Sequence, residues 1–224
     1  MKIKYYIASV NSILISFCNE ISINCSKVVQ KSFFLLKNEL EALDIVASYS
    51  TILVTFDILN DSYYTIKEKI EKILKNIDKV ELKTDSKIVE IPAFYDVSVG
   101  LDLDRVAKFN SLNIQEVIKI HSKKIYFIYT IGFLPGFAYM GDVDKKISTP
   151  RLDKPRANVK KGSIAIANRQ CAIYPKDSIG GWNILAKTPI KLLDNSSVSL
   201  LKIGQRVKFI PINKDEFLKL GGTI

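Results

Sequence analysis

The sequence predicts an α+β fold in two domains, a small α+β domain over residues 1–84 and a strand-rich domain over residues 85–224. Three observations carry that reading. Strand-like alternation and helix-like apolar stripes take turns over the first eighty residues. The polar run Thr84-Asp85-Ser86 then interrupts the pattern. From Lys124 onward, short β-branched runs are punctuated by glycine and proline, as in a sandwich or a barrel. At 224 residues the length permits one large domain or two small ones, and the change of pattern favours two.

The opening Met1-Lys2-Ile3-Lys4-Tyr5-Tyr6 alternates toward a strand. Ile13, Ile15 and Phe17 alternate with polar neighbours, as do Ile52, Val54 and Phe56, so two half-buried strands are expected. Between them Ser26 is placed to cap a helix with Val29, Phe33, Leu36, Leu40 and Leu43 on one face. A second helix is expected from Tyr64 to Ile77, with a stripe of Ile66, Ile70, Ile73, Leu74 and Ile77. Glu68 with Lys72 and Glu71 with Lys75 have the spacing of ion pairs on its other side. Such an order packs the helices on one face of a sheet. Lys87 to Tyr95 reads as a strand, and Asp102 to His121 as two short helices parted near Ser111 to Asn113, where Asn113 and Glu116 resemble a capping arrangement. Further strands are expected at Ile125–Thr130, Ser163–Ala167, Trp182–Lys187 and Arg206–Pro211. Gly221-Gly222-Thr223-Ile224 reads as a frayed tail.

Composition excludes several classes. The chain is 47% hydrophobic but has no apolar run near the ~18 residues of a membrane span. The first residues lack the apolar core and cleavage site of a signal peptide, so a cytoplasmic protein is expected. Cys18, Cys25 and Cys171 fit neither a CxxC nor a zinc spacing and read as buried free thiols, while one histidine argues against a metal site. The net charge of +10 comes from lysines interleaved with glutamates, as on a solvated surface, so no nucleic-acid partner is expected.

The stretch Ile131 to Pro189 is the densest in special residues, with six of the ten glycines, five of the seven prolines and the only tryptophan. It runs Gly132-Phe133-Leu134-Pro135-Gly136-Phe137-Ala138-Tyr139, then Pro150-Arg151 and Pro155-Arg156, then Gly162-Ser163-Ile164-Ala165-Ile166, Ile173-Tyr174-Pro175 and Gly180-Gly181-Trp182. Gly136 and Gly141 have GxxxxG spacing, but Asp142 follows where a phosphate loop needs lysine, and no GxGxxG is present. Phe133, Phe137 and Tyr139 read either as core or as an apolar pocket wall, with Gly136 letting a ligand approach the backbone. Arg151 and Arg156, stiffened by Pro150 and Pro155, form the best anion site, unless they are paired with Asp153 or Asp144 on a solvated loop. His121 is the natural acid or base, at a helix end whose dipole favours its charged form, although a lone histidine is more often structural. Trp182 fits an exposed binding aromatic or a turn-anchored core residue equally well. Gln170 and Tyr174 are further candidates for polar contacts, and Ser163 lacks triad partners.

In their order and spacing these motifs resemble the family that holds the B subunit of bacterial 5-oxoprolinase, the kinase-A inhibitor protein and allophanate hydrolase subunit 1. The sequence departs from the family's pattern at Val159-Lys160-Lys161, at Asn168 to Ala172, at Ile179 and at Ala186. The resemblance implies a cyclophilin-like β-barrel for residues 85–224. Family members commonly carry a His-Ser matching His121-Ser122, which implies a catalytic or orienting role for His121. Substrate-binding roles are implied for Arg151, Arg156, Gly132, Phe133, Pro135, Gly136, Phe137, Tyr139, Gln170, Tyr174 and Trp182. As part of an enzyme the chain is expected to work with a second cyclophilin-like subunit, the C subunit, and with the A subunit of 5-oxoprolinase. That assembly opens 5-oxo-L-proline to L-glutamate at the expense of ATP, and the chain is expected to be inactive alone. As a regulator it is expected instead to inhibit a sensor histidine kinase. A third reading, from the related carboxyltransferase region of urea carboxylases, needs a biotin carrier. With only Met1 and Met140, no carrier segment of lysine flanked by methionines is present.

Overall fold

The structure is a computed structural model and describes residues 3–81, 87–194, 196 and 198–224. The chain divides into two compact units, Met1–Thr84 and Asp85–Ile224. The break read at Thr84-Asp85-Ser86 lies outside the described residues. We propose that the units fold independently. Limited proteolysis is then expected to release fragments close to 1–84 and 85–224, and a first cut inside 131–189 with none near 84 would contradict it.

The first unit contains β1 (Lys4–Ser9), β2 (Ser12–Ser16), α1 (Ile23–Glu39), β3 (Asp44–Ala47), β4 (Thr51–Thr55) and α2 (Tyr63–Leu74). The strands form an antiparallel sheet in the order β1-β2-β4-β3. Pairing Ile13 with Val54 and Ile15 with Ile52 puts all four on one face, where they are fully buried with Val29 and Leu36 of α1 and Ile66 and Ile70 of α2. Burying one face of the sheet drives this unit together.

Four expectations are corrected here. The cap of α1 is Ser22, whose backbone is extended and whose Oγ accepts from the Cys25 N–H at 3.1 Å; Ser26 lies inside the helix and is buried. Leu43 falls beyond the end of α1 and is 66% exposed. Cys18 and Cys25 are not free thiols: the turn capped by Ser22 folds the start of α1 back on the end of β2, and the two form a disulfide across a Cα separation of 6.1 Å. Cys171 is free and buried. On α2, a reciprocal capping box of Ser62 and Thr65 starts the helix, and Glu71 pairs with Lys67 at 3.7 Å, on the opposite side in sequence from the expected Lys75.

The second unit contains β5 (Ile88–Phe94), α3 (Leu103–Phe109), α4 (Ile114–Lys123), β6 (Ile125–Ile131), β7 (Ala138–Gly141), β8 (Arg156–Val159), β9 (Ser163–Ala167), β10 (Gln170–Ile173), β11 (Ser178–Gly180), β12 (Asn183–Lys187), β13 (Arg206–Ile212) and α5 (Lys214–Lys219). Seven strands close a barrel in the order β10-β7-β6-β13-β5-β12-β9, antiparallel except for β13 beside β5. The fold is thus α+β with a closed barrel. Its core holds Ile91, Tyr126, Ile128, Met140, Ile166 and Phe209. The reciprocal box of Asn113 and Glu116 is present at the start of α4, with contacts of 2.8 and 2.9 Å. Outside the barrel, β8 and β11 pair as a two-stranded ribbon with Gly180 opposite Arg156.

The tail is docked rather than frayed. After α5 the N–H of Gly222 returns to the Phe217 carbonyl and that of Gly221 to the Leu218 carbonyl, both at 2.9 Å, with Gly221 at φ +86°. This is the Schellman closure, which favours glycine at the left-handed position. Gly222 lies over the buried ring of Phe217, and Lys187 Nζ donates to the Thr223 carbonyl at 2.6 Å.

Candidate functional site

The residues from Gly132 to Phe137 form a tight loop between β6 and β7, closed by the Gly132 N–H on the Phe137 carbonyl at 3.1 Å and the Phe137 N–H on the Leu134 carbonyl at 3.0 Å. Gly136 sits at φ +78°, and a Cβ there would lie 2.5 Å from the Leu193 side chain. Phe133 also adopts a left-handed backbone, φ +69°, although it is aromatic and 59% exposed. Such a conformation costs on the order of 1–3 kcal/mol for a non-glycine residue, and strain of this kind collects at binding sites.

The loop delivers Phe133 to the rim of an aromatic cluster. Phe137 is buried and meets four rings edge to face: Phe133 at 5.3 Å, Tyr139 at 4.8 Å, Tyr174 at 5.1 Å and Trp182 at 5.7 Å between centroids. This geometry sets the positive edge of one ring on the negative face of another. Gly180 is required by its neighbour, because a Cβ there would lie 2.3 Å from the Tyr174 hydroxyl oxygen. Burial raises the pKa of the Tyr139 and Tyr174 phenols, so both stay protonated at neutral pH.

Together these groups line a cleft of about 230 Å³ formed by Phe133, Phe137, Tyr139, Arg151, Pro155, Tyr174, Ile179, Gly180, Gly181 and Trp182. Its one cation is Arg151, whose guanidinium carbon lies 5.6 Å from the Trp182 ring centroid. Arg151 is exposed, and among the described residues no carboxylate comes within ion-pair distance of it. A planar fork resting on an aromatic face, with no carboxylate partner, suits a small carboxylate bound beside an apolar ring.

Six of the sequence candidates therefore converge: Phe133, Phe137, Tyr139, Arg151, Tyr174 and Trp182. The alternatives open for the aromatics resolve by position, since Phe137, Tyr174 and Trp182 are buried base and Phe133 is exposed rim. Gly132, Pro135 and Gly136 shape the loop without lining the cleft, and Gln170 pairs with Ala167 and Gly141 in the barrel wall. Pro155, Ile179, Gly180 and Gly181 also line the cleft, although residue type alone does not single them out as contacts. The Gly-Gly-Trp motif and the proline beside the arginines are the sequence signals for three of them.

Two further candidates lie outside the cleft. Arg156 does not join Arg151: as the first residue of β8 it turns to the helix side, where its Nη2 lies 2.8 Å from Asp102 Oδ1. The other Asp102 oxygen accepts the Ile184 N–H at 2.8 Å, so the pair ties the start of α3 to β8 and β12. His121 does not face the cleft. It is completely buried, with Nδ1 2.7 Å from the Tyr95 hydroxyl, Nε2 3.5 Å from Cys171 Sγ and its ring stacked on Phe209 at 5.0 Å. Burial pushes its pKa down from 6.5 to about 3, overriding the helix dipole, so the imidazole is neutral at pH 7. Among the described residues no group of three or more acidic, histidine or cysteine side chains is placed to hold a metal ion.

Residues 3–201 match the family described as carboxyltransferase domain, subdomain C and D. The chain belongs to this family. Relatives in it include the 5-oxoprolinase B subunit of Bacillus subtilis, 29% identical over 97% of both chains, and the 5-oxoprolinase B subunit of Haemophilus influenzae, 33% identical over 78% of this chain and 82% of that one. The family read from the motifs is thereby shown. Among solved structures, the protein PH0987 of Pyrococcus horikoshii is 36% identical with a TM-score of 0.57, covering 96% of this chain and 100% of its own. TTHA0988 is 29% identical with a TM-score of 0.79, and this chain spans 41% of its length and is covered over 91% of its own. The Kluyveromyces lactis urea amidolyase superposes with a TM-score of 0.79 at 16% identity, over 97% of this chain and 15% of that one, and shares the fold alone. No helix among the described residues is long and apolar enough to cross a membrane.

Proposed function

We propose that the chain is the B subunit of a bacterial 5-oxoprolinase, acting in the cytoplasm with a second cyclophilin-like subunit and the enzyme's A subunit to open 5-oxo-L-proline to L-glutamate with ATP. The observation that carries this reading is the aromatic cleft with Arg151 as its single cation, in a chain whose relatives bear that subunit's name. 5-Oxo-L-proline is a small ring bearing one carboxylate. The cleft, at about 230 Å³, lies below the ~300–1,000 Å³ of drug-sized sites and matches a ligand of that kind.

An unactivated lactam resists water. ATP supplies a phosphoryl group that, once on the lactam oxygen, makes the carbonyl carbon electrophilic; one water then adds and the C–N bond breaks with the nitrogen leaving as an amine, which gives an acyl phosphate, and a second water hydrolyses that to the carboxylate and inorganic phosphate. This chain's part is to hold the ring. Arg151 binds the carboxylate through paired N–H donors, the rings of Phe137 and Trp182 form the apolar base beneath the ring, and Phe133 at the rim limits the entry of water. With His121 buried and neutral, proton transfer falls to groups of the partner subunits.

The test is reconstitution. The purified chain alone is expected to release no L-glutamate from 5-oxo-L-proline and ATP, and the three subunits together are expected to do so. Enzyme-like turnover by the chain alone would contradict this reading. Recovery of a sensor histidine kinase from native lysate, without turnover by the reconstituted set, would favour the inhibitor.

A further inference from the structure

A second cleft, of about 380 Å³, lies on the barrel unit between the turn before β9, the loop after β10 and the end of β12, with the docked tail as one wall. Lys161, Lys176, Lys187 and Lys191 line it, against one carboxylate, Asp194. That carboxylate is engaged elsewhere: its Oδ1 accepts the N–H groups of Ser196 and Val198, both at 2.8 Å, within its own loop. The nearby Asp177 is held by Lys160 Nζ at 3.0 Å and the Lys161 N–H at 2.8 Å. Among the described residues the ammonium groups of Lys161, Lys176 and Lys191 have no carboxylate at ion-pair distance.

The frame beneath these lysines is fixed. Gly162 donates to the Tyr174 carbonyl at 2.7 Å and accepts the Thr188 N–H at 2.9 Å, and its φ of +82° leaves no room for a side chain, since a Cβ would lie 2.5 Å from the Thr188 carbonyl oxygen. Lys187 is drawn into the wall by its bond to Thr223, and its pKa is lowered by burial and by the like charges of Lys160 and Lys161, with Asp177 opposing. An anion in the cleft relieves that repulsion. Pro175, Pro189 and Ile190 add an apolar side. Ammonium groups are compact charges with rotatable donors, suited to phosphate oxygens from several directions.

We propose that this cleft binds a pyrophosphate group, free or as part of a small molecule, among Lys161, Lys176, Lys187 and Lys191. The proposal rests on this cleft alone and not on the activity assigned above. The test is calorimetric titration of the full chain with inorganic pyrophosphate, ADP and sulfate at one ionic strength. At least one of the first two is expected to bind about tenfold or more tightly than sulfate, and which of them binds better tells the free from the esterified group. The exposed pair Lys176→Glu/Lys191→Glu is expected to weaken that binding by roughly tenfold or more with an unchanged melting temperature, while Lys72→Glu/Lys75→Glu in the other unit leaves it as it was. Binding no tighter than sulfate, or an equal loss in the control pair, would overturn the proposal.

Discussion

Arg156→Met is expected to destabilise the barrel unit by about 3–5 kcal/mol, the range for breaking a largely buried ion pair from one side. Asp102 is almost fully buried, and without Arg156 its carboxylate keeps only the Ile184 N–H. The partial exposure of Arg156 places the effect toward the lower figure, since water screens that end of the pair. For a unit of this size the loss corresponds to a fall in melting temperature of roughly 10 °C. Arg156→Lys keeps the charge without the planar fork and should lie between the two. A wild-type melting temperature in Arg156→Met would mean that the ion pair does not join α3 to the barrel.

Acid should unfold the chain partly through His121. Its pKa is near 6.5 when unfolded and about 3 when folded, so between those values the unfolded state binds the extra proton. The sign follows: the contribution is complete above about pH 6.5 and is lost as pH falls toward 3, at up to about 1.4 kcal/mol per pH unit. Between pH 6.5 and 4.5 wild type should therefore lose about 2–3 kcal/mol more than His121→Phe, which cannot protonate. The variant orphans the Tyr95 hydroxyl and starts less stable, so the comparison is of slopes from urea unfolding rather than of absolute values. Equal slopes would show that His121 does not resist protonation.

What is legible in the sequence follows from periodicity. Ile13, Ile15, Ile52 and Val54 announce their strands because one face of their sheet is buried and the other is not. Strands β7, β8, β10 and β11 do not, because at three or four residues each they are too short to show alternation. The Cys18–Cys25 disulfide depends on a helix start set by Ser22 rather than Ser26, a choice of backbone conformation that residue type alone leaves undecided. At the site, the motif residues of the Gly132 loop and the Gly-Gly-Trp turn converge as their density implies. Arg151 and Arg156 look like a unit in sequence, because loop spacing does not reveal that β8 begins at Arg156 and sends it to Asp102. His121 misleads for a related reason: its helix position is visible in sequence, but the barrel core around it is not.

Arg151 is the residue proposed to hold the substrate's carboxylate. The direct measurement is steady-state turnover of 5-oxo-L-proline by the three reconstituted subunits, with wild type and with Arg151→Lys, alongside the melting temperature of each chain. A charge-assisted hydrogen bond contributes about 1.5–3 kcal/mol, so loss of the fork should lower kcat/KM roughly ten- to a hundredfold. Because Arg151 is exposed, stability should stay within about 0.5 kcal/mol of wild type. A fall in kcat/KM at unchanged melting temperature is the predicted result, and wild-type kcat/KM in Arg151→Lys would contradict it.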